Sequence, residues 1–249
     1  MRLFRLFAPL VCAWSVCLSV GAQPLRIAVA ASLGLPLQEI VDSFARERVE
    51  KPTLVVASSG VLTAQITNGA HFALFISADT LYPHTLWQQQ RTDGPPQVLA
   101  YGQLALWCRY PLENQDINVL LPGNQIKKIA IAQPQLAPFG KEAVRWLRAQ
   151  RLYDTVWPKM VYGENVGQVN RLIQAGAVDA AFTAASARAS SIGQKGYWQT
   201  LPQEGGIAHS MVVLKGLTAA ERQTTQALLA YFRTPTARTI LEKWGYLAP

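Results

Sequence analysis

The chain has 249 residues, half of them hydrophobic and 15% charged, with a formal net charge of +8. That is enough apolar sequence for an ordinary core in one or two domains, and it excludes a chain disordered by composition. The basic residues form no dense run and match no nucleic-acid motif, so the charge argues for no nucleic-acid partner, although a mild positive field helps an anion to arrive.

Arg2 and Arg5 precede a mostly apolar stretch over residues 6–20, and Val20 and Ala22 stand at the small-residue positions before a cleavage site. This pattern predicts a signal peptide over residues 1–22, cut near Ala22, and export to the periplasm. The stretch is short for a membrane span of about 20 residues. Cys12 and Cys17 would leave with the signal. Cys108 then remains alone, so no internal disulfide is expected and stability must come from the core.

The rest of the chain alternates strand-like and helix-like segments. Residues 25–30 form a β-rich run. Leu37, Ile40, Val41 and Phe44 follow at i, i+3, i+4 and i+7, one face of a helix. Thr53–Ala57 is again strand-like. Residues 62–66 read as a helix ending at Asn68-Gly69, and 72–77 as a third strand. This βαβαβ order predicts a mostly parallel sheet flanked by helices. The middle repeats it: strands at 100–109, 128–132, 160–162 and Ala180–Ala184, with helical stripes at Val144 and Leu147 and at Val169, Leu172 and Ile173. A further strand-like run covers 209–214. Ala237, Ile240, Leu241 and Trp244 lie at helical spacing, with Gly245 as the stop. No flexible linker interrupts the chain, so two lobes would be joined by strands that cross between them.

Four turns share one feature: a strand ends, small or hydroxyl residues follow, and a helix begins. They are Ala31-Ser32-Leu33, Ser58-Ser59-Gly60, Ala137-Pro138-Phe139-Gly140 and Glu164-Asn165-Val166-Gly167. In α/β sheets such turns lie where ligands bind. Free N–H groups and the helix dipole there favour an anion, and serine hydroxyls add donors. Taken singly, Ser32, Ser59 and Asn165 are better explained as N-caps. Only the convergence of several turns makes a site.

Catalytic readings find little support. His71, His84 and His209 are not accompanied by a G-x-S-x-G nucleophile elbow. Cys108 lies in an apolar strand, as a buried structural thiol does. No His/Cys/Asp/Glu cluster has metal-ligand spacing, and no phosphate-binding G-x-x-x-x-G-K-[ST] loop occurs. Asp79 reads as a cap or turn residue. No catalytic residue and no cofactor is expected.

At the four turns the sequence resembles the periplasmic molybdate-binding proteins of ABC transporters. Supporting stretches are Ala30-Ala31-Ser32-Leu33, Ala57-Ser58-Ser59-Gly60 with Ala64-Gln65-Ile66, Leu74-Phe75-Ile76-Ser77-Ala78-Asp79, Ala137-Pro138-Phe139-Gly140 and Gly163-Glu164-Asn165-Val166. The resemblance implies a two-lobed type II periplasmic-binding-protein fold, each lobe a mostly parallel sheet flanked by helices. Lobe I would hold residues 23–101 and 208–249, and lobe II residues 102–207. It implies a monomer that captures molybdate or tungstate in the interlobe cleft and delivers it to an ABC transporter permease. Ser32 and Ser59 would offer hydroxyls and backbone N–H groups, Phe139 and Val166 backbone N–H groups from the other lobe, and Leu33 a further one. These residues would reach the metal oxyanion only through its oxygens. Some relatives carry tyrosines where this chain has Phe139 and Ala184, and often Pro and Asp where it has His71 and Ala73.

A desolvated dianion needs many donors to replace its water. Donors split between two lobes meet it together only on closure, so binding favours the closed state. Molybdate and tungstate are nearly equal in size and larger than sulfate, so cavity size is the available discriminator. The alternatives are a binding protein for sulfate, phosphate or a small organic acid, then a sensor with the same lobes, then an enzyme.

Overall fold

The computed structural model describes residues 24–46, 51–113, 115–202 and 205–249. The signal-peptide reading of residues 1–22, with Arg2, Arg5, Cys12 and Cys17, lies outside the described residues. In chain order the strands are β1 (Arg26–Ala30), β2 (Thr53–Ala57), β3 (Leu74–Ser77), β4 (Gln97–Gly102), β5 (Leu104–Cys108), β6 (Ile129–Ala132), β7 (Met160–Gly163), β8 (Ala180–Ala184), β9 (Tyr197–Thr200) and β10 (Ile207–Val213). The helices are α1 (Gly34–Arg46), α2 (Ser59–Thr67), α3 (Leu81–Gln88), α4 (Ile117–Leu120), α5 (Pro138–Ala149), α6 (Tyr153–Val156), α7 (Val166–Gln174), α8 (Ala219–Tyr231) and α9 (Pro235–Lys243).

The strands form two five-stranded sheets, in the orders β2-β1-β3-β10-β4 and β7-β6-β8-β5-β9. In the first, β1 pairs in parallel with β2 and β3, while β10 runs antiparallel to β3 and β4. In the second, β6 pairs in parallel with β7 and β8, while β5 runs antiparallel to β8 and β9. In each sheet, then, a single strand opposes the other four. The expected class, an α/β fold with mostly parallel sheets, describes this arrangement.

The helices pack through the apolar faces that the sequence spacing marks. Leu37, Ile40, Val41 and Phe44 of α1 are all buried, and Phe44 meets Tyr231 of α8 edge-on at 5.4 Å between ring centres. Each such side chain contributes about 1.5–3 kcal/mol on burial. Truncating Phe44 to alanine would cost about 3–5 kcal/mol. The last helix, α9, starts with Pro235 behind a Thr234 cap and stops at Gly245, whose φ of +77° suits glycine.

The expected strand over residues 100–109 is two strands. β4 ends at Gly102 in the first sheet, and β5 begins at Leu104 in the second. The glycine at the break has a packing cause. A Cβ on Gly102 would stand 2.7 Å from Cε1 of His209 and 3.1 Å from the Tyr246 ring, so the chain needs glycine where it leaves the first sheet. The β-rich, largely apolar sequence continues on both sides of Gln103, which is why periodicity does not reveal the break. Helices α3 and α8 and strand β9 are further elements that the hydrophobic pattern does not announce.

Candidate functional site

The four strand-to-helix turns meet where the two sheets face each other. A tight turn, Ala31–Leu33, follows β1 and leads into α1. It approaches the start of α7: a Cβ on Gly167 would lie 3.9 Å from the Cβ of Ala31. At the start of α2, the Gly60 N–H donates to the Leu136 carbonyl, at 2.9 Å, just ahead of α5. Beside it Tyr82 Oη donates to the Gln135 carbonyl at 3.2 Å. Ser186, which follows β8, donates its hydroxyl to the Ser32 carbonyl at 3.3 Å. These bonds bridge the sheets. Ala30 and Ala78 of the first side pack in one apolar cluster with Phe139, Val166 and Ala184 of the second. The cleft is therefore closed and lined by apolar and hydroxyl groups.

Capping explains one of the three polar residues raised for it. Asn165 does cap α7, its side chain accepting from the Gln168 N–H at 3.1 Å. Ser59 is the first residue of α2, not its cap, and Ser58, which holds the cap position, makes no side-chain cap bond. Ser32 lies inside the tight turn. Both expected serines are buried, Ser32 at 6% and Ser59 at 0% exposure.

The two hydroxyls differ in what they can still do. Ser59 Oγ accepts the Ala78 N–H at 3.1 Å. Accepting leaves its own hydrogen free to be donated. Ser32 Oγ lies 2.9 Å from Nε2 of His209, whose Nδ1 lies 2.9 Å from the Ile207 carbonyl. A carbonyl only accepts, so Nδ1 carries the hydrogen. In the neutral ring Nε2 is then bare, and Ser32 donates to it. His209 is fully buried, and desolvation lowers its pKa from 6.5 to about 4. Its ring is framed by Tyr246, edge-on at 5.1 Å, and by Phe139 at 5.8 Å. Tyr246 donates to the Ser32 carbonyl at 2.7 Å, and burial pushes its hydroxyl up to about 12.

Phe139 occupies the second position of α5, after Pro138, and Val166 the first position of α7. N–H groups there have no partner within their own helix. Phe139 and Val166 are buried against the closed cleft. The Leu33 side chain belongs to the core of the first sheet, so only its N–H is a candidate donor.

Two residues beside the expected donors were not singled out by the sequence. Among the described residues, Ser58 Oγ is a buried side-chain polar atom without a hydrogen-bond partner. Its place beside Ser59 was the available signal. His209 gave none beyond its type: its partner Ser32 is 177 residues away, and the β10 register shifts between His209 and Ser210 where it pairs with β4. Such bulges re-aim side chains.

Of the other residues considered, Asp79 accepts from the Tyr82 N–H and the Ser77 hydroxyl as a turn residue does, and burial raises its pKa. Cys108 is buried and free, and burial raises its thiol pKa too. His71 pairs with Glu221 at 2.6 Å. A recess of about 550 Å³ opens at the edge of the cleft, between Ala78–Leu81 side chains, α5 and the start of β10; Asp79, Lys141, Arg145 and Arg148 are on its wall.

A cleft between two sheets of this topology, lined with helix N-termini, defines a solute-binding protein. Residues 25–247 match the family described as bacterial extracellular solute-binding proteins, and the chain belongs to it. It is 32% identical over 235 residues to the molybdate-binding protein ModA of Rhodobacter capsulatus, covering 92% of this chain and 90% of that protein. It is 28% identical over 249 residues to the protein of that name from Azotobacter vinelandii, covering 98% and 97%. Among solved structures, the periplasmic molybdate-binding protein of Azotobacter vinelandii superposes with a TM-score of 0.82 at 28% identity, over 90% of this chain and 99% of that one.

Proposed function

We propose that this protein captures molybdate or tungstate in the cleft between its sheets and delivers it, in the periplasm, to the permease of an ABC transporter. The observation that carries the reading is the meeting of the four helix-start turns, two from each sheet, around a buried patch with hydroxyls and N–H groups and no cationic side chain among the named donors. The relatives named for molybdate binding support the choice of anion.

The donors in this reading are the Ser32 and Ser59 hydroxyls and the N–H groups of Leu33, Phe139 and Val166. They touch the oxygens of the anion and never its metal. Neutral donors fixed by folded backbone replace the water lost on burial, and bonds to a charged acceptor are the stronger kind. Ser58, buried with its hydroxyl unpartnered, is a further donor. Cysteine, histidine and carboxylate ligands are not needed.

Residues 23–101 with 208–249 and residues 102–207 act in this reading as two lobes that move as units in a monomer. Gly60 to Leu136 and Tyr82 to Gln135 would be the bonds that form on closure. Small-angle scattering tests this. The radius of gyration should fall when molybdate is added to the free protein, and a Gly60→Ala variant should close less readily. Its Cβ would stand 2.8 Å from Tyr82 Oη and 3.0 Å from the Leu136 carbonyl. A radius unchanged by a bound anion would contradict the two-lobe closure.

A further inference from the structure

The bond between Ser32 and His209 is set the wrong way round for an anion. With Nδ1 donating to the Ile207 carbonyl and Nε2 bare, the Ser32 hydrogen points at the imidazole, and only lone pairs remain on Ser32 Oγ. Lone pairs facing an oxyanion repel it. Exchanging the ring tautomer would not solve this, because a bare Nδ1 would then face the Ile207 carbonyl.

We propose that His209 takes up one proton from solvent as the anion binds, so that Nε2–H donates to Ser32 Oγ and the Ser32 hydroxyl turns its own hydrogen to the oxyanion. This rests on the reading of Ser32 as an anion donor. The balance is simple: one proton enters at Nε2, no covalent bond between heavy atoms changes, and the charge buried with a dianion falls by one. His209 is thus a positioning residue that acts through Ser32.

The surroundings suit the task. The groups facing the ring are Ser32 from the turn after β1, Gly102 from β4, the Ile207 carbonyl from β10, Phe139 from α5 and Tyr246 from the C-terminal segment. Tyr246 is the titratable one among them, and it is a neutral phenol donating to the Ser32 carbonyl. No carboxylate or cationic side chain figures among the causes that shift His209. Burial alone keeps the ring neutral in the empty cleft. A dianion one hydroxyl away supplies the missing counter-charge. The site would thus hold no charge without the anion and only half of the dianion's charge with it.

The test is titration calorimetry of the full chain with molybdate, at several values over roughly pH 6 to 8, in pairs of buffers that differ in ionisation enthalpy. The expected result is net proton uptake that rises toward one per anion as pH falls. Affinity should tighten in step, approaching about tenfold per pH unit where uptake is complete. A His209→Gln variant can offer an amide N–H to Ser32 without titrating. It should bind molybdate with no proton uptake and a flat pH profile. Uptake persisting unchanged in His209→Gln would put the proton on the anion and overturn the proposal. So would a wild-type protein that binds with no uptake. If the variant does not fold, imidazole NMR of the wild-type protein with and without molybdate decides the matter, because a His209 ring that stays neutral on binding overturns the proposal. Failure to bind any oxyanion would instead overturn the functional reading, and this proposal with it.

Discussion

The hydroxyl of Ser32 and Nε2 of His209 lie 2.9 Å apart, although 177 residues separate them in the chain. The first follows β1, and the second sits at an irregularity in β10. Gly102 leaves room for the imidazole, and Tyr246 holds the Ser32 carbonyl. One side of the cleft is thereby fixed by contacts among distant segments of the first sheet and the C-terminal tail. Ser32 is consequently both a candidate ligand donor and a structural partner, and its substitution should show both effects.

Ser32→Ala and Ser59→Ala should each lower molybdate affinity by roughly 1.5–3 kcal/mol, the value of a hydrogen bond to a charged group. Each also strands a buried partner, Nε2 of His209 in one case and the Ala78 N–H in the other. Stability should therefore fall by roughly 1–3 kcal/mol in denaturant titrations. Unchanged binding by variants that melt earlier would show that the serines serve the fold alone.

Ser58→Ala should behave differently. Its hydroxyl is buried without a partner, so deletion removes an unmet hydrogen-bonding group. The anion-free protein should hold or gain stability, by about 1 kcal/mol or more, while molybdate affinity falls. A loss of stability with no loss of affinity would mean that Ser58 is satisfied in the fold and takes no part in binding.

Val166→Pro is the sharpest probe of a backbone donor. Val166 is the first residue of α7, and Asn165 before it is extended, with φ −150° and ψ 174°. Proline is favoured at that helix position and tolerates that predecessor. The variant should fold, as judged by circular dichroism, yet bind molybdate far more weakly because the N–H is gone. Val166→Ala keeps the N–H and should bind nearly as the parent does. Equal affinities for the two variants would remove Val166 from the site.

His209 also sets an acid limit on the anion-free protein. Its folded pKa, about 4, lies below the ordinary value of 6.5. Between these values the unfolded chain binds the extra proton, so stability falls as pH drops from about 6.5 toward 4 and levels off below. The full effect is on the order of 3 kcal/mol. In thermal melts the gap between wild type and His209→Gln should stay constant above pH 6.5 and change between pH 6.5 and 4, where wild type loses stability and the variant's profile is the flatter. Parallel profiles across this range would contradict a buried neutral imidazole.

Much of the framework is legible in the chain because local patterns carry it. Thr53–Ala57 and Ala180–Ala184 are strands with the bounds their composition gives. The stripes on α1, α7 and α9 bury the residues that helical spacing selects, apart from edge positions such as Trp244. Helix α8 is not marked by hydrophobic spacing, although Thr218 and Glu221 form a readable capping box, because its buried positions, Thr225, Leu228 and Tyr231, make a weak apolar stripe. The need for glycine at 102, just before the crossing at Gln103, depends on His209 and Tyr246, which no local pattern records. The same holds at the candidate site. The turns can be found from their residue types, but whether a serine caps, pairs with histidine or stands free is decided by partners far along the chain.

The most direct measurement is a calorimetric titration of the purified protein with molybdate, tungstate and sulfate under one set of conditions. A closed cavity of fixed neutral donors should bind molybdate and tungstate tightly, one per chain and nearly alike, and sulfate much more weakly. Equal affinity for sulfate and molybdate, or binding of neither, would contradict the account.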